Sequence, residues 1–406
     1  MSEIKSGDIS AKSEQAVRLN SDREFDSVVC FGGVDYWYHN RGHYDLQMMR
    51  EISEQLPVLY VNSIGMRIPN PSAEGSVFFA RVARKLRSLF KGIVQVDNNF
   101  NVYTALVLPS AGSGALGRLS HWFLSVQVRW WASRMGMQRP LLWIACPTAG
   151  HTLRHFKDNP VIYQRTDRFE DFEGVDAREI AAIDQKLKTL SELVLFCSRG
   201  LFEDERSQCN KALFIDHGVD VDRFAAAGDR KADPEDVKSI SRPRVGFVGG
   251  IDVHTFDPEL YEAVTQLLPE CQFILVGGSS LPPEWCRHPN VHHLGRKPFE
   301  EVADYMAACD VLIMPWTDNS WIEACNPIKL KEYLAVSRPV VSTYFPELDY
   351  YGDCVIVAKR DPQSFADAIL AALESPAGAS RRRKRVANQT WSMRAQEVMD
   401  AVVVPK

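Results

Sequence analysis

Lys329 and Glu332 stand three residues apart in the stretch Cys325-Asn326-Pro327-Ile328-Lys329-Leu330-Lys331-Glu332-Tyr333-Leu334-Ala335, which runs on to Ser337-Arg338-Pro339-Val340-Val341-Ser342. The spacing predicts loop, helix, turn and buried strand. Asn326 is a helix N-cap of preferred type, and Pro327 then falls at the first helical position, where its missing N–H costs nothing. Leu330 and Leu334 share the packed face, while Arg338-Pro339 ends the helix. A helix N-terminus offers free N–H groups and a partial positive charge, which suit a phosphate. Lys329 would add a full charge there, and Glu332, one turn on, could accept hydrogen bonds from a ribose diol. The stretch therefore fits a nucleoside-diphosphate site, with Asn326, Ile328, Lys329 and Glu332 as its residues. An ordinary capped helix with a Lys–Glu pair fits the same residues, and at this point both readings stand.

Other polar clusters follow apolar runs. The run Arg244–Val248 ends in Gly249-Gly250, where the lack of side chains lets backbone N–H groups approach a phosphate. Ser27–Phe31 ends in Gly32-Gly33 and leads into a polar, aromatic loop with Tyr38, His39, Asn40, Arg41 and His43, suited to a sugar. Leu141–Ala145 leads to His151, and Val161–Arg165 leads to Asp167. Asp167 at a strand's C-terminal end is the best general-base residue. A cap, or an ion pair with Arg165 or Arg168, would explain it equally well. Asp220-x-Asp222 matches a metal-binding pattern only superficially.

A chain of 406 residues exceeds one core of usual size, so two domains are expected. The net charge of −5 argues against nucleic acid as a partner. Between Gly75 and Lys157 the only acid is Asp97, whereas Arg81, Arg84, Lys85, Arg87, Lys91, Arg118, Arg129, Arg134, Arg139 and Arg154 all lie there. Residues 76–91 have apolar residues on one helical face and cations on the other. Residues 118–134 add Trp122, Trp130 and Trp131. Both suit an anionic membrane surface, and a core helix with a solvated basic face suits them too. No apolar run approaches the ~20 residues of a membrane span. Nine scattered cysteines without a Cys-x-x-Cys pair fit reduced thiols in a cytosolic protein, not disulfides or a zinc site. The polar residues 1–23 have no signal-peptide core and are expected to be poorly ordered.

Strand and helix patterns alternate throughout, which predicts an α/β protein with parallel sheets. The domain reading is an N-terminal domain at 24–225, a linker at 226–242, a second domain at 243–387 and a last helix at 388–406.

Gly246-Phe247-Val248-Gly249-Gly250, Val276-Gly277-Gly278, Asn290-Val291 with Leu294-Gly295, Tyr305-Met306 with Cys309-Asp310-Val311, and Asn326-Pro327 with Lys329, Glu332-Tyr333-Leu334-Ala335 and Arg338-Pro339-Val340-Val341 occur in order. Together they resemble the donor domain of GT-B glycosyltransferases, over residues 213–395. His217-Gly218-Val219-Asp220 with Phe224 is similar to the segment joining that family's two domains, and the helix with Trp391 resembles the one that crosses back. The nearest flavour is that of exopolysaccharide and teichuronic-acid transferases, including xanthan-type glucuronosyltransferases.

This resemblance implies two Rossmann-like doubly wound domains facing a central cleft. It implies a nucleotide-sugar donor, most simply a UDP-sugar, with Lys329 on the diphosphate and Glu332 on the ribose. It also implies no catalytic metal or cofactor, a lipid-linked glycan acceptor, and a peripheral position on the inner face of the cell membrane. Retaining members carry a second Glu where this chain has Ala324, with Glu323 one step off; in inverting relatives a first-domain Asp is the base, which Asp167 matches. A sugar-nucleotide epimerase of the same fold and an inactive nucleotide-sugar-binding scaffold are the alternatives.

Overall fold

The apolar runs form two parallel sheets. The computed structural model describes residues 25–38, 42–66, 83, 87–107, 114–172, 174–230 and 233–402. Contacts divide the chain into two units: Met1–Cys197 with Leu201–Ile215 and Ala395–Lys406, and Ser198–Gly200 with Asp216–Arg394.

In the first unit the strands are β1 (Ser27–Phe31), β2 (Val58–Val61), β3 (Ile93–Asp97), β4 (Phe100–Tyr103), β5 (Pro140–Ile144), β6 (Val161–Arg165), β7 (Leu193–Phe196) and β8 (Ala212–Phe214). They lie in the order β3-β4-β2-β1-β5-β6-β7-β8, and all pairs are parallel except the β3–β4 hairpin. β1, β2, β5, β6 and β7 are buried throughout, as continuous apolar runs in a parallel sheet must be. The helices of this unit are α1 (Tyr44–Ser53), α2 (Ala115–Arg134), α3 (Ala177–Leu190) and α4 (Arg199–Glu205). A 3-10 segment, Pro147–His155, follows β5. Asp176 caps α3 by accepting from the N–H groups of Arg178 and Glu179.

The second unit begins with α5 (Val221–Asp229), capped by Asp220, whose carboxylate accepts from the Arg223 N–H. That cap accounts for the Asp220-x-Asp222 pattern. The span 226–242, expected as a linker, is in part helical. Ala227, Val237 and Ile240 are buried in this unit's core, so the segment's apolar residues outweigh its polar composition. The strands are β9 (Arg244–Val248), β10 (Gln272–Val276), β11 (Val291–Gly295), β12 (Val311–Met314), β13 (Val340–Thr343) and β14 (Ile356–Ala358). Their order is β11-β10-β9-β12-β13-β14, and every pair is parallel. The helices are α6 (Pro258–Leu267), α7 (Val302–Ala307), α8 (Ser320–Glu323), α9 (Ile328–Val336), α10 (Pro362–Glu374), α11 (Ala379–Val386) and α12 (Trp391–Val402), the last continuing into the first unit. Each sheet reverses its order once, between β1 and β5 and between β9 and β12. The crevice outside the carboxyl ends of such a pair is where open α/β sheets bind ligands.

Candidate functional site

At the β9/β12 reversal, β9 delivers Gly249-Gly250 and β12 delivers Trp316. The helix α9 supplies the charge. Leu330, Tyr333 and Leu334 are fully buried and seat α9 on the core, each burial contributing about 1.5–3 kcal/mol for the aliphatic pair. The Tyr333 hydroxyl accepts from the Val248 N–H at 2.9 Å and donates to the Val248 carbonyl at 3.3 Å. That clamp ties α9 to the end of β9 and fixes where Lys329 points. Lys329 Nζ lies 4.4 Å from the Phe247 ring centroid and 5.7 Å from that of Trp316. A Cβ on Gly249 would collide with Nζ, and one on Gly277 would collide with the Gly249 carbonyl. The first obstacle is the mobile end of a side chain and the second is backbone, so Gly277 is the stricter requirement.

Lys329 and Glu332 form no ion pair with each other; among the described residues neither head group has a hydrogen-bond partner. They do feel each other's charge. Burial pulls the Lys329 ammonium down to about 8, against the pull of Glu332, Cys325 and Asp252. Burial pushes the Glu332 carboxyl up to about 7, opposed by Lys329 and Arg223. Arg223 is the residue that sequence reasoning missed here. It stacks 4.4 Å over Phe299, and its Nε–H is buried without a partner among the described residues. An ammonium, a guanidinium N–H and a carboxylate, each without a full complement of partners, can hold a ligand that has both anionic and hydroxyl groups.

Asn326 is not the helix cap. Pro327 takes that position, and α9 opens at Ile328. The Asn326 amide donates to Asp216 at 2.7 Å and its carbonyl accepts from Lys331 at 3.1 Å. Lys331, its side chain 0% exposed, pairs with Asp216 at 2.7 Å. Charge-assisted bonds of this kind outcompete a neutral cap. Burial raises the Asp216 carboxyl, but Lys331, with help from His217 and Asn326, more than reverses that and holds it below the usual range. Lys331 is thus structural, and Lys329 is the cation that reaches the crevice. Glu323 is exposed at the end of α8.

At the β1/β5 reversal the glycine turn is already filled by the protein. Asp45 Oδ2 accepts from the Gly33 N–H at 2.8 Å and from the Tyr60 hydroxyl at 2.7 Å. Tyr38 is half-buried and His43 exposed at the start of α1; His39, Asn40 and Arg41 lie outside the described residues. His151 packs on His121 with ring centroids 4.7 Å apart, and its Nε2 is 3.4 Å from Glu179. It therefore sits in the contact between α2 and α3, and burial lowers its basicity. Asp167 follows β6, half-buried. Both arginines that could have paired with it are taken: Arg165 by Glu170, Asp184 and Glu205, and Arg168 by Asp204. Burial raises the Asp167 carboxyl against Thr166 and Arg165.

Residues 223–375 match the model of the family described as Glycosyl transferases group 1. That span is a group 1 glycosyl transferase domain. The glycosyl transferase domain carries Arg223, Gly249, Lys329 and Glu332. Bacillus subtilis TuaH, whose name assigns it to teichuronic acid biosynthesis as a glycosyltransferase, is 34% identical over 141 residues, 32% of this chain and 34% of its own length. The match thus spans about a third of that relative. Sucrose-phosphate synthase of Thermosynechococcus elongatus superposes with a TM-score of 0.66 at 15% identity, over 92% of this chain and 98% of that one. Anabaena HepE, solved with UDP and glucose, superposes with a TM-score of 0.65 at 14% identity, over 94% and 100%. These likenesses establish the GT-B fold for the transferase domain and the unit that precedes it.

Proposed function

We propose that the protein transfers a sugar from a nucleoside-diphosphate sugar, most simply a UDP-sugar, to a lipid-linked glycan at the inner face of the cell membrane. The observation that carries this reading is Lys329, unpaired at the β9/β12 reversal beside Gly249, with Glu332 one turn further along α9. Lys329 binds the diphosphate, Glu332 accepts from the ribose, and Arg223 adds a second cation. Protein cations then do the neutralising that a metal would do elsewhere. Asp167 takes the acceptor's proton. The TuaH likeness and the UDP bound in HepE support this choice of substrates.

A melting-shift and donor-hydrolysis screen across UDP-, GDP- and ADP-sugars tests it. A bound nucleotide stabilises by mass action, about 2.7 kcal/mol at a hundredfold excess over its dissociation constant. Lys329→Ala should lose roughly ten- to a hundredfold in UDP affinity, because a charge-assisted contact is worth ~1.5–3 kcal/mol. Glu332→Gln should lose less. Equal UDP affinity in wild type and Lys329→Ala, by calorimetry, would remove the assignment.

The membrane part of the proposal rests on α2. Leu116, Leu119, Trp122, Val126 and Trp130 are exposed at spacings of three and four, with Arg118, Arg129 and Arg134 exposed among them. His121 and Leu124 face inward instead. Phe90 is 90% exposed. Of the other basic stretch, residues 76–82 and 84–86 lie outside the described residues, as do residues 1–23. Among the described residues no helix is long and apolar enough to cross a membrane.

A further inference from the structure

Away from the candidate donor site, α6 and the loop between β10 and β11 bring together three side chains of metal-ligating type. Glu262 Oε1 lies 3.2 Å from His288 Nε2. One ligand atom each from Glu262, Cys286 and His288 lie within 4.8 Å of one another. Gln266, one turn after Glu262 on α6, places its amide 3.2 Å from the same His288 nitrogen. Cys286 is 2% exposed, and its φ of 50° is left-handed, a conformation that costs a residue with a Cβ about 1–2 kcal/mol. The loop thus holds this thiol inward against a backbone penalty. Beside it stands Tyr261, itself 1% exposed, whose buried hydroxyl has no partner among the described residues. Partnerless buried hydroxyls are rare and call for a reason.

We propose that Glu262, Cys286 and His288 form a binding site for a divalent transition metal of the zinc type. A sulfur, a nitrogen and an oxygen are the donor set that Zn²⁺ accepts, and three protein ligands leave a fourth position for water or for the Gln266 amide. Ca²⁺ and Mg²⁺ take oxygen donors and would not use the thiol. In a tetrahedral zinc shell a sulfur and a nitrogen ligand stand about 3.5 Å apart, so the cluster needs a small contraction, which the half-buried Glu262 and His288 side chains can make. Binding expels the thiol proton. Affinity should therefore rise with pH, as it does wherever a thiol must lose its proton to bind a metal. The metal would pin the β10–β11 loop to α6. That loop leaves β10 through Gly277-Gly278, and the next residue, Ser279, bridges to Ile251 just after Gly250. The staple therefore steadies one wall of the glycine turn without touching the chemistry.

Cobalt is the probe. The full-length protein, stripped with chelator and titrated with Co²⁺, should take up one equivalent and show a thiolate-to-cobalt charge-transfer band that Zn²⁺ abolishes. Cys286→Ser should lose the band, which separates this site from the other thiols. His288→Ala, at a half-buried position where folding is not at risk, should weaken Co²⁺ binding more than ~100-fold, since loss even of an outer-shell partner costs ~10–100-fold. A wild-type protein with no such band, or a His288→Ala variant that binds Co²⁺ as tightly as wild type, would overturn the proposal.

Discussion

Lys329 Nζ lies 4.4 Å from the Phe247 ring centroid, in the space that a side chain on Gly249 would fill. The two neighbouring glycine turns should therefore respond differently to alanine. In Gly249→Ala the new methyl meets the far end of a flexible side chain, which can swing aside. The protein should fold and lose UDP affinity as Lys329 is displaced. In Gly277→Ala the methyl meets the Gly249 carbonyl, which is backbone and cannot yield. Chemical denaturation should show a loss of several kcal/mol there, in line with other severe backbone clashes (~3 kcal/mol or more). Equal stability loss in the two variants would contradict this geometry.

UDP binding should weaken on the alkaline side. Burial leaves the Lys329 ammonium with a value of about 8. It is charged at pH 7 and largely discharged at pH 9 in the free protein, so the dissociation constant should rise through that window. Arginine stays charged there, so Lys329→Arg should flatten the profile even if its absolute affinity is lower. The readout is calorimetric UDP affinity at pH 7, 8 and 9.

Asp167→Asn should remove most turnover and leave donor affinity near wild type, because a general base contributes ~10²–10⁴-fold to rate and nothing to nucleotide binding. A purified variant that retains more than about a tenth of the rate, a barrier change under ~1.4 kcal/mol, would take the base role away from Asp167.

Membrane binding through α2 should have two separable parts. Changing Arg118, Arg129 and Arg134 together to Glu should lower binding to anionic vesicles by at least on the order of a hundredfold at low salt, since each cation contributes about 1 kcal/mol near such a surface. Changing Trp122 and Trp130 to Ser should remove the part that high salt does not screen. Flotation assays at two salt concentrations read both. If neither variant departs from wild type, the exposed stripe serves some other purpose.

Much of the fold was legible because its signals are local. Each buried strand is a short apolar run, and the glycines that end β9 and β10 follow directly in sequence. The order of those signals over residues 213–395 identified the transferase domain. The spacing of Lys329 and Glu332 showed one turn of helix and the chemistry both could do. The division into units was less legible: residues 226–242 look like linker by composition, yet 226–229 continue a helix that begins at Val221 and buries Ala227.

What no local signal could decide was which partner each polar group finds. Asn326 reads as a cap, yet its amide meets Asp216, 110 residues away in sequence. Lys329 and Lys331 are alike in type and two residues apart. Helical geometry turns them to different sides, so Asp216 neutralises Lys331 while Lys329 faces the crevice. Arg165 and Arg168 looked like partners for Asp167 until distant carboxylates claimed both. Cys286 and His288 lack the spacing of a zinc motif, and Glu262 meets them only from a helix in another part of the chain. Charge pairing falls off over a few ångströms, so it is settled by distances in space, and those exist only once the sheets and helices have packed.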